Sequence, residues 1–341
     1  MGALFDIINV PIGWLMRWLY QLVGNYGVAI ILLALITKLL MVPLGIKQHK
    51  GQLSQMKFRK RIARIQKKYA NNQQKMQEEM QKLQAEGYSP TAGCGTMLIQ
   101  FPLLIGVYNV IRYPLQYVVG LGSDVIAKLL EVYNTATGAG LTTSVGDYQI
   151  RLVEHISQNP ALYELPENYF HINLDFLGMN LATIPAKIEW FLSGIIPIPT
   201  FDASWLWIIP ILSAVTAVLS TIISQKMGPS RYMQDPNAQQ NKSTMALMSV
   251  LGPYMSYAIA FSVPAGLGLY WVCSNVIMTL QTVVINTIYN PAKYKEMYDR
   301  EEEERRLKNK KKKELAARLA AEEAAKANAM IEAAREDKES L

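Results

Sequence analysis

Four stretches of this chain are almost free of charge. Residues 24–44 carry only Lys38 and residues 96–119 carry only Arg112. No charged residue stands between Asp202 and Lys226, and none stands in the 50 residues between Lys242 and Lys293. A helix that crosses a ~30 Å hydrocarbon core needs ~20 mostly apolar residues. Three of the stretches supply one span each, and the long last one supplies two, turning at Pro264-Ala265-Gly266. The pattern therefore predicts five spans, at 24–44, 96–119, 204–224, 244–263 and 264–288. Core helices of a soluble protein would be shorter and would keep a polar face.

The remaining segments read differently. Residues 1–23 are apolar but interrupted by Asp6, Pro11 and Arg17, with Trp14, Leu15, Trp18, Leu19 and Leu22 on one helical face. That is an amphipathic helix for the bilayer interface. A cleaved signal peptide fits less well, because no basic region precedes Arg17. Residues 45–95 read as a helical hairpin. Leu53, Met56, Ile62, Ile65 and Tyr69 repeat along a first arm, and Met76, Met80 and Leu83 along a second, with the turn at Ala70-Asn71-Asn72. Residues 120–203 lack clear periodicity and hold several prolines, so short helices and irregular structure are expected. Their segment 186–199 is apolar enough to lie on a membrane surface or re-enter it. Residues 289–341 form a charged tail, an extended helix with i, i+4 pairs, or a solvated coil when alone.

Charge orients these pieces. Segment 45–95 holds eleven Lys/Arg against three Glu, a net of +8, and 225–243 has a net of +2. Segment 120–203 holds three basic and nine acidic residues, a net of −6. The positive-inside rule then puts 45–95, 225–243 and the tail in the cytoplasm, and 120–203 and the N-terminus outside. Half of the 341 residues are hydrophobic and only 18% are charged, below the ~25% usual in soluble proteins. Two cysteines exclude a disulfide scaffold and a four-cysteine zinc site. The sequence has no Walker, GxGxxG or HExxH motif and no Ser/His/Asp set near one membrane face. It calls for no cofactor and no metal, and it does not read as an enzyme.

Polar residues at membrane depth are costly and need a reason. Lys38 lies well inside the first span. It either faces a hydrated cavity or snorkels to the nearby basic loop. Ser213, Thr216, Ser220 and Ser224 form a hydroxyl stripe on the third span. Gln100, Tyr108 and Arg112 line one face of the second, and Trp271, Asn275, Met278 and Thr282 one face of the fifth. Helix packing alone explains any single stripe. Three stripes and a lysine together point to helices around a hydrated cavity. On the hairpin, Lys57, Arg59, Lys60, Arg61, Arg64, Lys67 and Lys68 give a basic face, either a solvated one that fixes topology or a surface for anionic lipid or RNA.

These residues resemble a known family. The runs are Ile36-Thr37-Lys38-Leu39-Leu40-Met41-Val42-Pro43-Leu44, then Lys75-Met76-Gln77-Glu78-Glu79-Met80 of the hairpin. Gly95-Thr96-Met97-Leu98-Ile99-Gln100-Phe101-Pro102 follows, with Tyr108. Last come Ile208-Ile209-Pro210-Ile211-Leu212 and Pro264-Ala265-Gly266-Leu267-Gly268-Leu269-Tyr270-Trp271. Their order and topology resemble the YidC-type membrane protein insertases, in the short form typical of Gram-positive bacteria. The resemblance covers all five spans and the first cytoplasmic loop, but not the outer loop or the tail.

The resemblance implies an all-α membrane protein of the bacterial cytoplasmic membrane. Its five transmembrane helices surround a hydrophilic groove open to the cytoplasm and to lipid, and a cytoplasmic helical hairpin precedes the second. The implied function is insertion and folding of nascent membrane proteins. Expected groove residues are Lys38, Gln100, Tyr108, Arg112, Ser213, Thr216, Ser220, Trp271 and Asn275. Lys38 stands where the family usually has Arg, so the charge is kept without the bidentate fork. The hairpin's seven basic residues, with Met76 and Met80, are the expected recruitment surface. Implied partners are nascent membrane proteins and the lipid bilayer, with the Sec translocon and the ribosome, through ribosomal RNA, as further candidates, and no DNA. A channel or transporter for a small anionic solute and a non-catalytic assembly scaffold are the alternative readings.

Overall fold

The structure is a computed structural model. It describes residues 2–89, 95–185, 188–191, 196–199, 205–233 and 239–339, with side chains described outside 2–5, 95–101, 188–191, 196–199, 233, 239–248 and 327–339. The chain opens with α1 (Gly2–Val23) and α2 (Tyr26–Gln55). A 3-10 turn at Met56–Phe58 leads to α3 (Arg59–Lys68) and α4 (Gln73–Ala85), and then α5 (Gly95–Arg112) ends in a π-turn at Leu115–Val119. The next segment holds α6 (Ser123–Thr137), α7 (Tyr148–Gln158) and two small antiparallel pairs, β1 (Asp175–Phe176) with β2 (Met179–Asn180) and β3 (Ile188–Phe191) with β4 (Ile196–Pro199). The chain closes with α8 (Ile208–Met227), the short α9 (Ser230–Met233), α10 (Gln239–Ser262), α11 (Ala265–Ile288) and α12 (Pro291–Glu339).

Among the described residues, three helices are long and apolar enough to cross a membrane, within Tyr26–Lys68, Trp205–Met227 and Ala265–Lys326. The other two predicted stretches are also helical, as α5 and α10. α11 packs on both α2 and α8, α8 also on α10, and α1 on α5 and α2. The burial pattern is inverted relative to a soluble protein. α8 exposes Leu212, Val215, Leu219 and Ile222 and buries Ser213 and Ser220. An apolar exterior over a partly polar interior is stable only where the surroundings are apolar too.

Several expectations change. The helix that holds the span predicted at 24–44 does not stop at Pro43, where a proline would be expected to kink or end it, but runs on to Gln55. Proline removes one backbone bond, and the turns on both sides carry the helix through. The first hairpin arm is consequently split between the end of α2, the 3-10 turn and α3. α1 buries an apolar face as well as exposing one. Met16 and Leu19 lie in the core while Trp14, Trp18 and Leu22 stay exposed. Arg17 Nε donates to Val118 O (2.6 Å), and Tyr117 OH donates to Asp6 Oδ1 (2.9 Å). Gly106 of α5 brings α1 close, because a Cβ there would meet Ile8 and Ile12 at under 3 Å. The β3–β4 pair was not legible as strands. A two-stranded ribbon consists only of edges, so it accepts Pro197 opposite Trp190 and Pro199 opposite Ile188.

The segment between α5 and α8 closes one end of the bundle. Ala265 N and Gly266 N, at the start of α11, donate to Thr183 O (3.0 Å) and Leu181 O (2.8 Å). Tyr20 OH donates to His171 O (3.0 Å) and accepts from Asn173 N (2.9 Å). Phe176 lies flat on Gly27 of α2, with its ring 2.3 Å from where a Cβ would stand. Gly27→Val should therefore lower the thermal unfolding midpoint in detergent by several degrees, at an overpacking cost of about 1–3 kcal/mol. Adding Phe176→Ala should recover most of the loss. An equal drop with and without Phe176→Ala would show that this contact is not what the valine disturbs.

Candidate substrate groove and cytoplasmic hairpin

The polar residues of the bundle converge on α2, α8 and α11. Thr37 and Lys38 are consecutive and both buried, Lys38 at 4% exposure. Thr37 Oγ1 folds back onto its own helix, donating to Leu33 O (2.7 Å), so the hydroxyl does not break the apolar surroundings. Across from α2, Tyr270 and Ser274 of α11 are buried, one turn apart on the same face. The Tyr270 hydroxyl lies beside Thr37 and Ser274. Yet neither Tyr270 OH nor Ser274 Oγ completes a hydrogen bond within the described chain, and the same holds for Ser213 Oγ. Asn275, next on α11, is 6% exposed and links to α8. Its Nδ2 donates to Thr216 Oγ1 (3.3 Å) and reaches Ser213 O at 3.5 Å. A polar seam thus runs from α2 through α11 to α8, with Lys38 at one edge and buried Ser220 further along α8.

The expected groove residues divide accordingly. Lys38, Ser213, Thr216, Ser220 and Asn275 belong to the seam or to the faces that form it. Trp271 is half-buried on α11 beside Tyr270. Tyr108 and Arg112 lie elsewhere. The Arg112 guanidinium sits 5.1 Å from the Tyr108 ring centroid and donates to Gly146 O of the segment that closes the bundle end. Arg112 is the last residue of α5, at the same end as Asn25, whereas Lys38 lies several turns further along α2. Helical spacing could not show what lies beyond the helix end, where Arg112 meets Gly146. The side chain of Gln100 is outside the described residues. Thr37, Tyr270 and Ser274 are the additions. Their signal was the polar pair Tyr270 and Ser274, one position before Trp271 and Asn275.

The hairpin is tied down at its base and along its basic arm. Gln55 Oε1 accepts from Ser89 N (2.8 Å), and Phe58 meets Tyr88 edge-on at 5.7 Å. Asn72 caps α4 by accepting from Lys75 N (3.0 Å). Leu83 is buried, while Met76 and Met80 are half-buried between the arms and solvent. Arg61 makes a bidentate pair with Glu86 across the hairpin. Arg59 donates to Tyr232 O (3.1 Å) and to Asp299 of α12 (3.0 Å). Lys60 reaches Asp299 (3.0 Å) and Glu302 (3.6 Å), and Arg64 pairs with Glu302. Lys57 and Lys68 lie over the rings of Phe58 and Tyr69, and Lys67 is exposed. The basic face is therefore partly engaged by the chain's own tail, which loop-by-loop charge counting could not reveal.

Partial burial pushes the Asp299 carboxyl up, but the Lys60 hydrogen bond and the charges of Arg59, Lys60 and Lys295 outweigh it and hold Asp299 below the usual carboxylate range. A depressed folded pKa stabilises the contact above the unfolded value of ~3.9 and loses that contribution as pH falls through the folded value. Spin labels on α3 and α12 should therefore report a constant separation from neutral pH down to ~4 and a longer one below it. A separation that lengthens already near neutral pH would assign the contact to another group.

Comparison with known proteins gives a consistent picture. A family model described as 60Kd inner membrane protein matches residues 18–293. Membrane protein insertase YidC 2 of Listeria innocua is 27% identical over 294 residues, which is 84% of this chain and 72% of that protein. Membrane protein insertase YidC of Oceanobacillus iheyensis is 28% identical over 291 residues, 84% of each chain. The inner membrane ALBINO3-like protein 2 of the Chlamydomonas reinhardtii chloroplast is 29% identical over 265 residues, 76% of this chain and 50% of that protein. The matched span includes Lys38, the hairpin, α8 and α11, and stops before Asp299.

Proposed function

The chain belongs to the 60Kd inner membrane protein family and is a membrane protein insertase; we propose that it works through the polar seam around Lys38. The observation that carries this reading is a lysine buried in an apolar bundle, one residue from Thr37, in a layer where the hydroxyls of Tyr270, Ser274 and Ser213 complete no hydrogen bond among the described residues. Such groups suit a transient polar guest better than a fixed apolar neighbour.

In the proposed arrangement α2, α5, α8, α10 and α11 are the five spans, in the bacterial cytoplasmic membrane. The N-terminus and α6–α7 lie outside, and the hairpin and α12 lie in the cytoplasm. The hairpin meets a nascent membrane protein first. Its short hydrophilic terminus then enters between α2, α11 and α8. An acidic group there pairs with the Lys38 ammonium, while Thr216, Ser213, Ser274 and Asn275 exchange hydrogen bonds with its backbone.

Magnitudes fix what the seam must do. Each charged residue at the centre of a span costs ~2.5–3.5 kcal/mol, whereas Leu, Ile, Phe or Val returns ~0.3–0.6. A twenty-residue apolar segment thus returns roughly 6–12 kcal/mol, enough to offset a few charges. The net driving force is already present in the substrate. What is slow is carrying the hydrophilic end across, and a seam that hydrogen-bonds it lowers that barrier. The apolar segment leaves along the exposed faces of α8 and α11, where Leu219, Ile222 and Leu280 already face outward.

The test is insertion of a single-span substrate with an acidic terminus into liposomes that hold the purified protein. Lys38→Ala should slow insertion by about tenfold, the equivalent of ~1.4 kcal/mol. Lys38→Arg should keep it, because the charge is retained. Unchanged insertion by Lys38→Ala would remove Lys38 from the mechanism.

A further inference from the structure

Asp299 and Glu302 stand three residues apart on α12 and so share a face. That face lies on the basic arm of the hairpin. Asp299 receives Arg59 and Lys60, both at 3.0 Å, and Glu302 receives Lys60 at 3.6 Å and Arg64. What sits there is a helical acidic peptide, Asp299-Arg300-Glu301-Glu302-Glu303-Glu304. Beside it a cleft of about 920 Å³ runs between α3 and α12, with Phe58 and Tyr298 in its wall and basic residues outnumbering the acidic Glu86, Glu301, Glu302 and Glu314. The ion pairs are only partly buried, with side-chain exposures from 19% to 66%. Partly exposed pairs are individually weak and exchange readily.

We propose that the basic arm of α3 is a docking site for acidic segments of client polypeptides, and that Asp299 and Glu302 of α12 occupy it as a displaceable internal ligand. This rests on the reading of the hairpin as the client's first contact and adds to it a competitor built into the chain. The chain's own occupant sets the ligand class: carboxylates at helical spacing, next to aromatic groups that favour a peptide with some apolar residues. Arg59 also holds Tyr232 O (3.1 Å), so release of Asp299 frees α12 while the arm stays anchored to the segment after α8. The device lies at the edge of the family match, because Asp299 and Glu302 fall after residue 293. A client that displaces α12 reaches a surface closed to chains lacking acidic segments.

The full-length protein in nanodiscs of neutral lipid is titrated with a short fluorescent peptide of Glu, Leu and Ala, followed by anisotropy. Asp299→Asn with Glu302→Gln should tighten binding roughly tenfold, because a closed fraction of chains weakens the apparent affinity in proportion. Adding Lys60→Gln and Arg64→Gln should abolish that gain. Spin labels at positions 67 and 308 should move apart in Asp299→Asn/Glu302→Gln and, in the wild type, on adding the peptide. Equal peptide affinity in wild type and Asp299→Asn/Glu302→Gln overturns the proposal, and so does an unchanged label separation. Tighter binding of a single-stranded RNA than of the peptide, with the same dependence on Lys60 and Arg64, would assign the surface to nucleic acid and also overturn it. Lys38→Ala insertion is scored separately, so the groove and the docking site can fail independently.

Discussion

An ammonium group held among apolar helices must find polar company, and the arrangement of α2, α8 and α11 follows from that demand. Lys38 is nearly inaccessible, so its charge cannot be left to bulk water. Thr37 stands next to it in the chain, Tyr270 meets Thr37 from α11 beside Ser274, and Asn275 carries the polar seam on to Thr216. The cost of a charge in hydrocarbon, a few kcal/mol at least, explains why polar groups gather here while Leu212, Val215, Leu219 and Ile222 stand on the outer face of α8. The bundle is in this sense built inside out, and both halves of the pattern suit a lipid surround.

The two ends of the bundle are held by different forces. Near Asn25 and Pro264, backbone donors of α11 are consumed by the carbonyls of Leu181 and Thr183, and the Phe176 ring fills the space over Gly27. Neutral backbone bonds and close packing are insensitive to salt. Near Gln55 the hairpin, α12 and the segment after α8 are joined by buried Met56 and Phe58 and by Arg59, Lys60 and Arg64 to acidic groups and one carbonyl. Partly exposed ion pairs weaken as ionic strength rises. The ionic contacts at the hairpin end are thus salt-sensitive, and those at the other end are not. A polar seam packed shut at one end and bordered by ion pairs at the other fits the proposed one-sided delivery of hydrophilic segments.

The helices were legible because long apolar runs leave little choice of structure, and the place of Lys38 was legible because a lone charge in such a run stands out. Asn275, Ser213 and Thr216 were found by helical spacing, which sees the face of a helix. Spacing does not see what the face meets. That is why Arg112, aligned with the expected groove residues, turned out to hold Gly146. Ser274 went unnoticed, and Tyr270 was read only as part of a family run, because both sit one position from the residues that drew attention. Long-range pairing was the largest blind spot. Arg59 and Asp299 are 240 residues apart, and nothing in either local pattern names the other. The strands at Ile188–Phe191 and Ile196–Pro199 were obscured for a related reason, since their prolines argue against a sheet unless every strand is an edge.

Site-specific photocrosslinking shows whether a client's hydrophilic end enters the buried seam. A photoreactive residue replaces Ser220, which is 9% exposed, or its neighbour Leu219, which is 51% exposed. Each variant is presented with a stalled nascent chain bearing a hydrophilic terminus and one apolar segment. Position 220 should crosslink to the hydrophilic terminus and position 219 to the apolar segment or to lipid. Crosslinks from position 219 alone, with none from position 220, would mean that clients pass along the outside of the bundle and that the polar seam around Lys38 does not receive them.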